Sequence, residues 1–162
     1  MGTQEIRFVL SSLLKEQCIK LNMEANHRDG ALEELTNLIP SLVQQPDSKK
    51  TLLKALQERE QLCSTGIGDG IALPHCRNAL VGLVDHPVLI FGRHASGIAF
   101  GSVDGNPARL FFLLVAPTVN QHLQILARLS RILRNPRLRK GLLTADKAEK
   151  IIRLIEDAEK NA

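Results

Sequence analysis

The residues best suited to chemistry in this 162-residue chain lie in one stretch, residues 65–75, TGIGDGIALPH. Gly66, Gly68 and Gly70 alternate ahead of a short apolar run, Ile71, Ala72 and Leu73, which Pro74 joins to His75. Glycine has no Cβ and takes φ > 0, so these three let backbone N–H groups turn inward towards an anion. The apolar run reads as a buried strand tying the loop to the core. Pro74 fixes its own φ and presses Leu73 towards extended geometry, so the imidazole of His75 rises from a stiff base. In-line phosphoryl transfer needs that stiffness, because it tolerates little misplacement of the nucleophile. With an ordinary pKa near ~6.5, imidazole offers a neutral nitrogen at neutral pH. The Thr65 hydroxyl and the N–H groups of Gly66, Gly68 and Gly70 are candidates to hold phosphate oxygens, although Thr65 serves equally well as a turn hydroxyl. No metal or other cofactor is called for. On pattern alone, a glycine-rich turn beside a histidine is more often a plain loop than a site. The G-x-G-x-G spacing, with a helix ahead of it, meets neither the dinucleotide fingerprint nor the G-K-[ST] ending of a P-loop, which sets nucleotide binding aside.

Several elements must position this stretch. Residues 8–14 form a short turn packed on the domain, and residues 18–21 a strand. A helix begins near Gly30, with Asp29 as N-cap and Leu32, Leu35, Leu38, Ile39 and Leu42 at helical spacing, until Pro40 bends or ends it. Asp47 or Ser48 caps a second helix whose apolar side carries Leu52, Leu53, Leu56 and Leu62. That helix delivers the chain to the glycines, and Arg59 near its end satisfies the C-terminal carbonyls of a helix as readily as it serves a site. Residues 76–83 read as a loop or short strand, and residues 87–91 and 98–100 as strands. Asp104, Gly105 and Asn106 make a turn. The unbroken run Leu110, Phe111, Phe112, Leu113, Leu114 and Val115 suits a central strand covered on both faces. Thr118 or Asn120 opens a third helix, with Leu123, Leu126, Leu129 and Leu133 on one face and Arg128, Arg131 and Arg134 on the other. His122, near its start, reads on its own as a surface histidine. After Pro136 a short helical piece follows, and Asp146 caps a last helix bearing Ile151, Ile152, Leu154 and Ile155. Helices alternating with apolar strands imply an α/β class: a mixed β-sheet sandwiched by helices.

Composition bounds the rest. The length and a hydrophobic share of 44% suit one domain with a proper core, residues 1–162. The first ten residues lack the apolar region of a signal peptide, and no run approaches the ~20 residues of a membrane span, so a cytoplasmic protein without membrane insertion is expected. Cys18, Cys63 and Cys76 are odd in number and form no C-x-x-C, which indicates neither a disulfide framework nor a zinc site. Cys63 and Cys76 flank the glycine stretch, where two reduced thiols are a better reading than a redox pair. The net charge of +4 favours acidic partners, but 3% aromatic content leaves little to stack on bases, so nucleic acid is an unlikely partner. The basic run Arg128, Arg131, Arg134, Arg137, Arg139 and Lys140 reads as a solvated helix face, with docking of an acidic protein as the alternative.

The run STGIGDGIALPH, residues 64–75, resembles the active-site signature of the fructose, mannitol and nitrogen-regulatory type IIA components of the bacterial phosphoenolpyruvate-dependent phosphotransferase system. Arg59 within EREQLCSTGIG, the run GIAFGSVDGNPARLFFLLVAP and His122 opening HLQILARLSRIL agree with it in order and spacing. The resemblance covers about residues 10–155 and implies the IIA fructose/mannitol-type fold. It implies that His75 accepts a phosphoryl group from an HPr-like phosphohistidine donor, that Arg59 stabilises phosphate, and that His122 lies beside His75 to orient it and hydrogen-bond the phosphate. Such a protein is a phosphohistidine carrier more than a turnover enzyme. In the nitrogen-regulatory branch, phosphorylation toggles binding to target proteins; in the alternative, sugar-transport role, His75 passes phosphate to a cysteine of a IIB domain. Ser64 and Thr65 ahead of the glycines resemble the regulatory branch more. A non-catalytic adaptor using the basic face is a third class. Where family members usually follow the histidine with Gly-Lys, this chain has Cys76-Arg77.

Overall fold

The computed structural model describes residues 9–76 and 83–162. The expected features at Phe8, Arg77 and most of residues 76–83 lie outside the described residues. Among the described residues five strands form one sheet: β1 (Ile19–Lys20), β2 (Gly66–Gly68), β3 (Ile71–Ala72), β4 (Val88–Ile98) and β5 (Ala108–Val115), in the order β1-β4-β5-β3-β2. β4 and β5 pair antiparallel, whereas β1 runs parallel to β4 and β3 parallel to β5, so the sheet is mixed. The polar-free run of β5 occupies the middle of the sheet because both its faces are covered. Phe111, Leu113 and Val115 point into one core, and Leu110, Phe112 and Leu114 into the other.

Two helix layers supply those covers. On the first face lie α2 (Arg28–Thr36) and α3 (Pro46–Leu62), through Leu32, Leu35, Leu52 and Leu56. The second carries α1 (Leu10–Leu13), α4 (Val119–Ile132), α5 (Pro136–Thr144) and α6 (Ala148–Lys160), through Leu10, Ile125, Leu129, Leu142, Ile151 and Ile155. The expected helix-covered mixed sheet is therefore observed. Among the described residues no helix is long and apolar enough to cross a membrane.

Local differences from the sequence-based expectation have physical causes. α2 starts two residues before Gly30, because the Nδ1 of His27 accepts from the Gly30 N–H at 3.2 Å and takes the capping place expected of Asp29. α3 is opened by Pro46 at its first turn, with Gln45 ahead of it and no side-chain cap, not by Asp47 or Ser48. Likewise Lys147, not Asp146, precedes α6. Residue 98 closes the long strand β4 instead of opening a separate one. Leu62 is 79% exposed and Leu123 57%, so neither belongs to the apolar stripe assigned to it. The buried row of α4 is Ile125, Leu129 and Ile132.

Candidate functional site

His75 stands where two parallel strands end. Beyond Ala72 the chain stays extended: Leu114 donates its N–H to the Pro74 carbonyl at 3.1 Å, and His75 bridges to Leu114 in parallel register. The crevice outside the carboxyl ends of such strands is the usual ligand position in open α/β sheets. β5 runs out at Val115, and Thr118 then caps α4, its Oγ1 accepting from the Gln121 N–H at 3.2 Å. One residue further, the first turn of α4 sets the His122 ring beside His75, with centroids 5.1 Å apart and planes inclined by 54°. From the opposite side comes the last turn of α3. Arg59, Leu62, Cys63, His75, Val119, His122, Leu123 and Leu126 line one cavity of about 530 Å³.

Two of these residues have visible constraints. The His75 Nδ1 lies 2.6 Å from the Leu73 carbonyl, which can only accept, so Nδ1 carries the proton and Nε2 keeps a free lone pair. Arg59 donates through Nη1 to the Cys63 carbonyl at 2.5 Å. It thereby satisfies the end of its own helix while lining the cavity.

Electrostatics keep both imidazoles neutral. Burial is the main force that lowers the His75 pKa below the ordinary imidazole value; the Leu73 carbonyl works against it and the Arg59 charge works with it. Burial, reinforced by His75, lowers that of His122 to about 4. Cys76, immediately after His75, packs against the α2/α3 side of the core, and burial pushes its thiol up to about 12. A thiol held that firmly in its protonated form is a poor nucleophile. Cys63 is exposed at the cavity. Among the described residues no group of three or more His, Cys, Asp or Glu side chains is placed to hold a metal ion.

The structure thus brings together His75, His122 and Arg59, and does not bring Thr65, Gly66, Gly68 or Gly70 to the same wall. Those four build the β2–β3 hairpin at the sheet edge. Gly66 pairs with Ala72 and Gly68 with Ile71. Asp69 and Gly70 between them both have positive φ, 55° and 76°, the signature of a type I′ turn. Thr65 is 3% exposed, and its hydroxyl already donates to the Glu60 carboxylate. The sequence reading passed over Glu60. Its signal was there: Leu52, Leu56 and Glu60 follow one another at intervals of four, which places a carboxylate in the buried row of α3.

Fold and site together define an α/β protein with an imidazole held at the carboxyl edge of parallel strands, facing a second imidazole. The chain belongs to the family described as "Phosphoenolpyruvate-dependent sugar phosphotransferase system, EIIA 2", whose family model matches residues 12–158. It is 35% identical over 153 residues to the "PTS system fructose-specific EIIABC component" of Bacillus subtilis (strain 168), covering 93% of this chain but only 24% of that protein. It is 34% identical over 144 residues to the "PTS system fructose-specific EIIA component" of Haloferax volcanii, covering 88% of this chain and 91% of that one. Among solved structures, "Nitrogen Regulatory Protein IIA-Ntr" from Neisseria meningitidis superposes with a TM-score of 0.81 at 29% identity, covering 91% of this chain and 99% of that one.

Proposed function

We propose that this protein is a cytoplasmic, single-domain phosphohistidine carrier, loaded on His75 by an HPr-like phosphohistidine protein. The supporting observation is the Nδ1–H of His75 held by the Leu73 carbonyl, which leaves Nε2 as the nucleophile of a ring lining the Arg59–His122 cavity. In the transfer, the Nε2 lone pair forms a bond to phosphorus while the phosphorus–nitrogen bond of the donor breaks, and the donor imidazole keeps the electron pair. The Nδ1 proton stays on His75, where the Leu73 carbonyl offsets the positive charge the ring gains. Arg59 meets the phosphoryl oxygens with a planar fork of donors once it leaves the Cys63 carbonyl. Neutral His122 contributes one N–H, and the amino end of α4, which opens at Val119 in the cavity wall, favours an anion.

The phosphoryl group has two candidate fates. We assign the protein first to the nitrogen-regulatory branch, in which roughly two added negative charges on the cavity switch binding to target proteins; the likeness to IIA-Ntr supports this. The fructose-specific relatives support the second reading, onward transfer to a IIB cysteine. Incubation with phosphoenolpyruvate and the general phosphotransferase proteins tests the carrier reading. Intact-protein mass spectrometry is expected to show gain of one phosphoryl group in the wild type and none in His75→Ala, with acceptance still measurable in His122→Ala. Phosphate on His122 in His75→Ala would overturn the assignment, and transfer to an added fructose-type IIB domain would favour the sugar branch.

A further inference from the structure

The buried carboxylate of Glu60 has no part in the carrier chemistry just described, yet it begins a chain of hydrogen bonds that ends on the reactive ring. Glu60 is 5% exposed. Its Oε2 accepts from the Thr65 N–H at 2.9 Å and its Oε1 from the Thr65 hydroxyl. The Thr65 carbonyl accepts from the Leu73 N–H at 3.0 Å. The Leu73 carbonyl, on the other side of the same residue, accepts from His75 Nδ1 at 2.6 Å.

We infer that Glu60 is a positioning residue for His75: by gripping Thr65 at two atoms it fixes the backbone of Leu73 at its N–H, and through that residue the carbonyl that selects the Nδ1–H tautomer. Burying a carboxylate is costly unless it is hydrogen-bonded, and burial accordingly raises the pKa of Glu60, with the Thr65 contacts working in the opposite direction. A carboxyl group kept there at that cost serves geometry that an apolar side chain cannot supply. The same grip sets the relation of α3 to β2. Arg59 and Glu60 are consecutive on α3, so the residue that lines the cavity and the one that holds the hairpin share a single helical turn. Nothing else among the described residues hydrogen-bonds the Thr65 side chain, so the chain has one origin.

This inference rests on the carrier reading for its consequence, but its primary readout does not. The ring nitrogens of His75, followed by ¹⁵N NMR in the unphosphorylated full chain, report the tautomer directly. The wild type is expected to show Nδ1–H. Glu60→Gln keeps an acceptor for the Thr65 N–H and presents an amide donor to the hydroxyl, which can accept, so it should stay close to wild type. Glu60→Ala should give a tautomer mixture and lower the turnover of phosphoryl uptake by up to about 100-fold, with KM for the donor unchanged. Should Glu60→Ala fail to fold, Glu60→Asp retains the charge but loses the reach to grip both atoms, and it should show the same mixture. A folded Glu60→Ala or Glu60→Asp protein with the wild-type tautomer and uptake would overturn the inference. Wild-type protein that never accepts phosphate would refute the carrier reading instead, leaving the tautomer comparison intact.

Discussion

Protonating His122 in the folded protein places a charge in a half-buried site beside a second imidazole, which is why its pKa falls to about 4. The unfolded chain has no such obstacle and takes up the proton near ~6.5. Between those values the unfolded state binds more protons, so this residue's effect is to make stability fall as pH drops from about 6.5 towards 4, and to be flat above. His75, also lowered, acts with the same sign. The raised pKa of Glu60 acts with the opposite one, since the folded state then holds the proton more tightly. Comparing urea unfolding of the wild type and His122→Gln isolates the first effect. The stability of the wild type relative to the variant should decrease between pH 7 and pH 5, and a constant difference would show that His122 titrates normally. How far single residues were legible in the sequence depended on what surrounds them. His75 stood out because Pro74 and an apolar run precede it. The spacing of Leu52, Leu56 and Glu60 made the burial of Glu60 legible but not its partner, because the Thr65 N–H and hydroxyl reach its carboxylate only when the hairpin is docked against α3.

At the scale of elements, the β2–β3 hairpin is where tight packing meets backbone demand. A Cβ on Gly66 would run into the hydroxyl of Ser102 and lie 3.1 Å from its Cα, and that hydroxyl is buried with no hydrogen-bond partner among the described residues. Gly66→Ala should therefore cost about 1–3 kcal/mol of stability, as overpacking generally does. Ser102→Gly in the same chain should restore part of it, measured by thermal or urea unfolding. The hairpin also explains a difference from the sequence reading. Three alternating glycines suggested an open anion loop, yet the Asp69-Gly70 pair is a two-residue hairpin signal, Gly66 is a strand position where the Ser102 backbone comes close, and Gly68 has a positive φ of 92°. The apolar run of β5 marked the strand's place in the middle of the sheet, because burial on both faces leaves only one pattern, though the strand begins two residues ahead of Leu110, at Ala108. Helix starts were read less well. Pro46 opens α3 through its fixed φ and His27 opens α2 through a ring nitrogen, and neither follows the hydroxyl-or-carboxylate rule on which the capping choices were based.

For the molecule as a whole, the order β1-β4-β5-β3-β2 was beyond the reach of the sequence, because strands of two or three residues carry too little periodicity to declare their neighbours. One side chain ties distant parts of that arrangement together. Arg93 of β4 donates to the Leu21 carbonyl at 3.1 Å and, through Nη1, to the carbonyls of Leu142 and Ala145 at 3.0 and 2.6 Å. It joins the residue just after β1 to the end of α5. Arg93→Met keeps the aliphatic stem but leaves three carbonyls without this donor. It should cost about 2–3 kcal/mol, read as a lower urea midpoint with faster amide exchange in α5 and unchanged phosphoryl acceptance in the folded fraction. The two margins of the sheet share a further property. One is the two-residue β1, bearing Lys20 paired with Glu34, and the other is the three-residue β2. Such borders give a neighbouring copy almost no length of open ladder to zip onto. Brevity at both borders thus disfavours strand-to-strand pairing between folded copies and leaves any meeting of molecules to other surfaces.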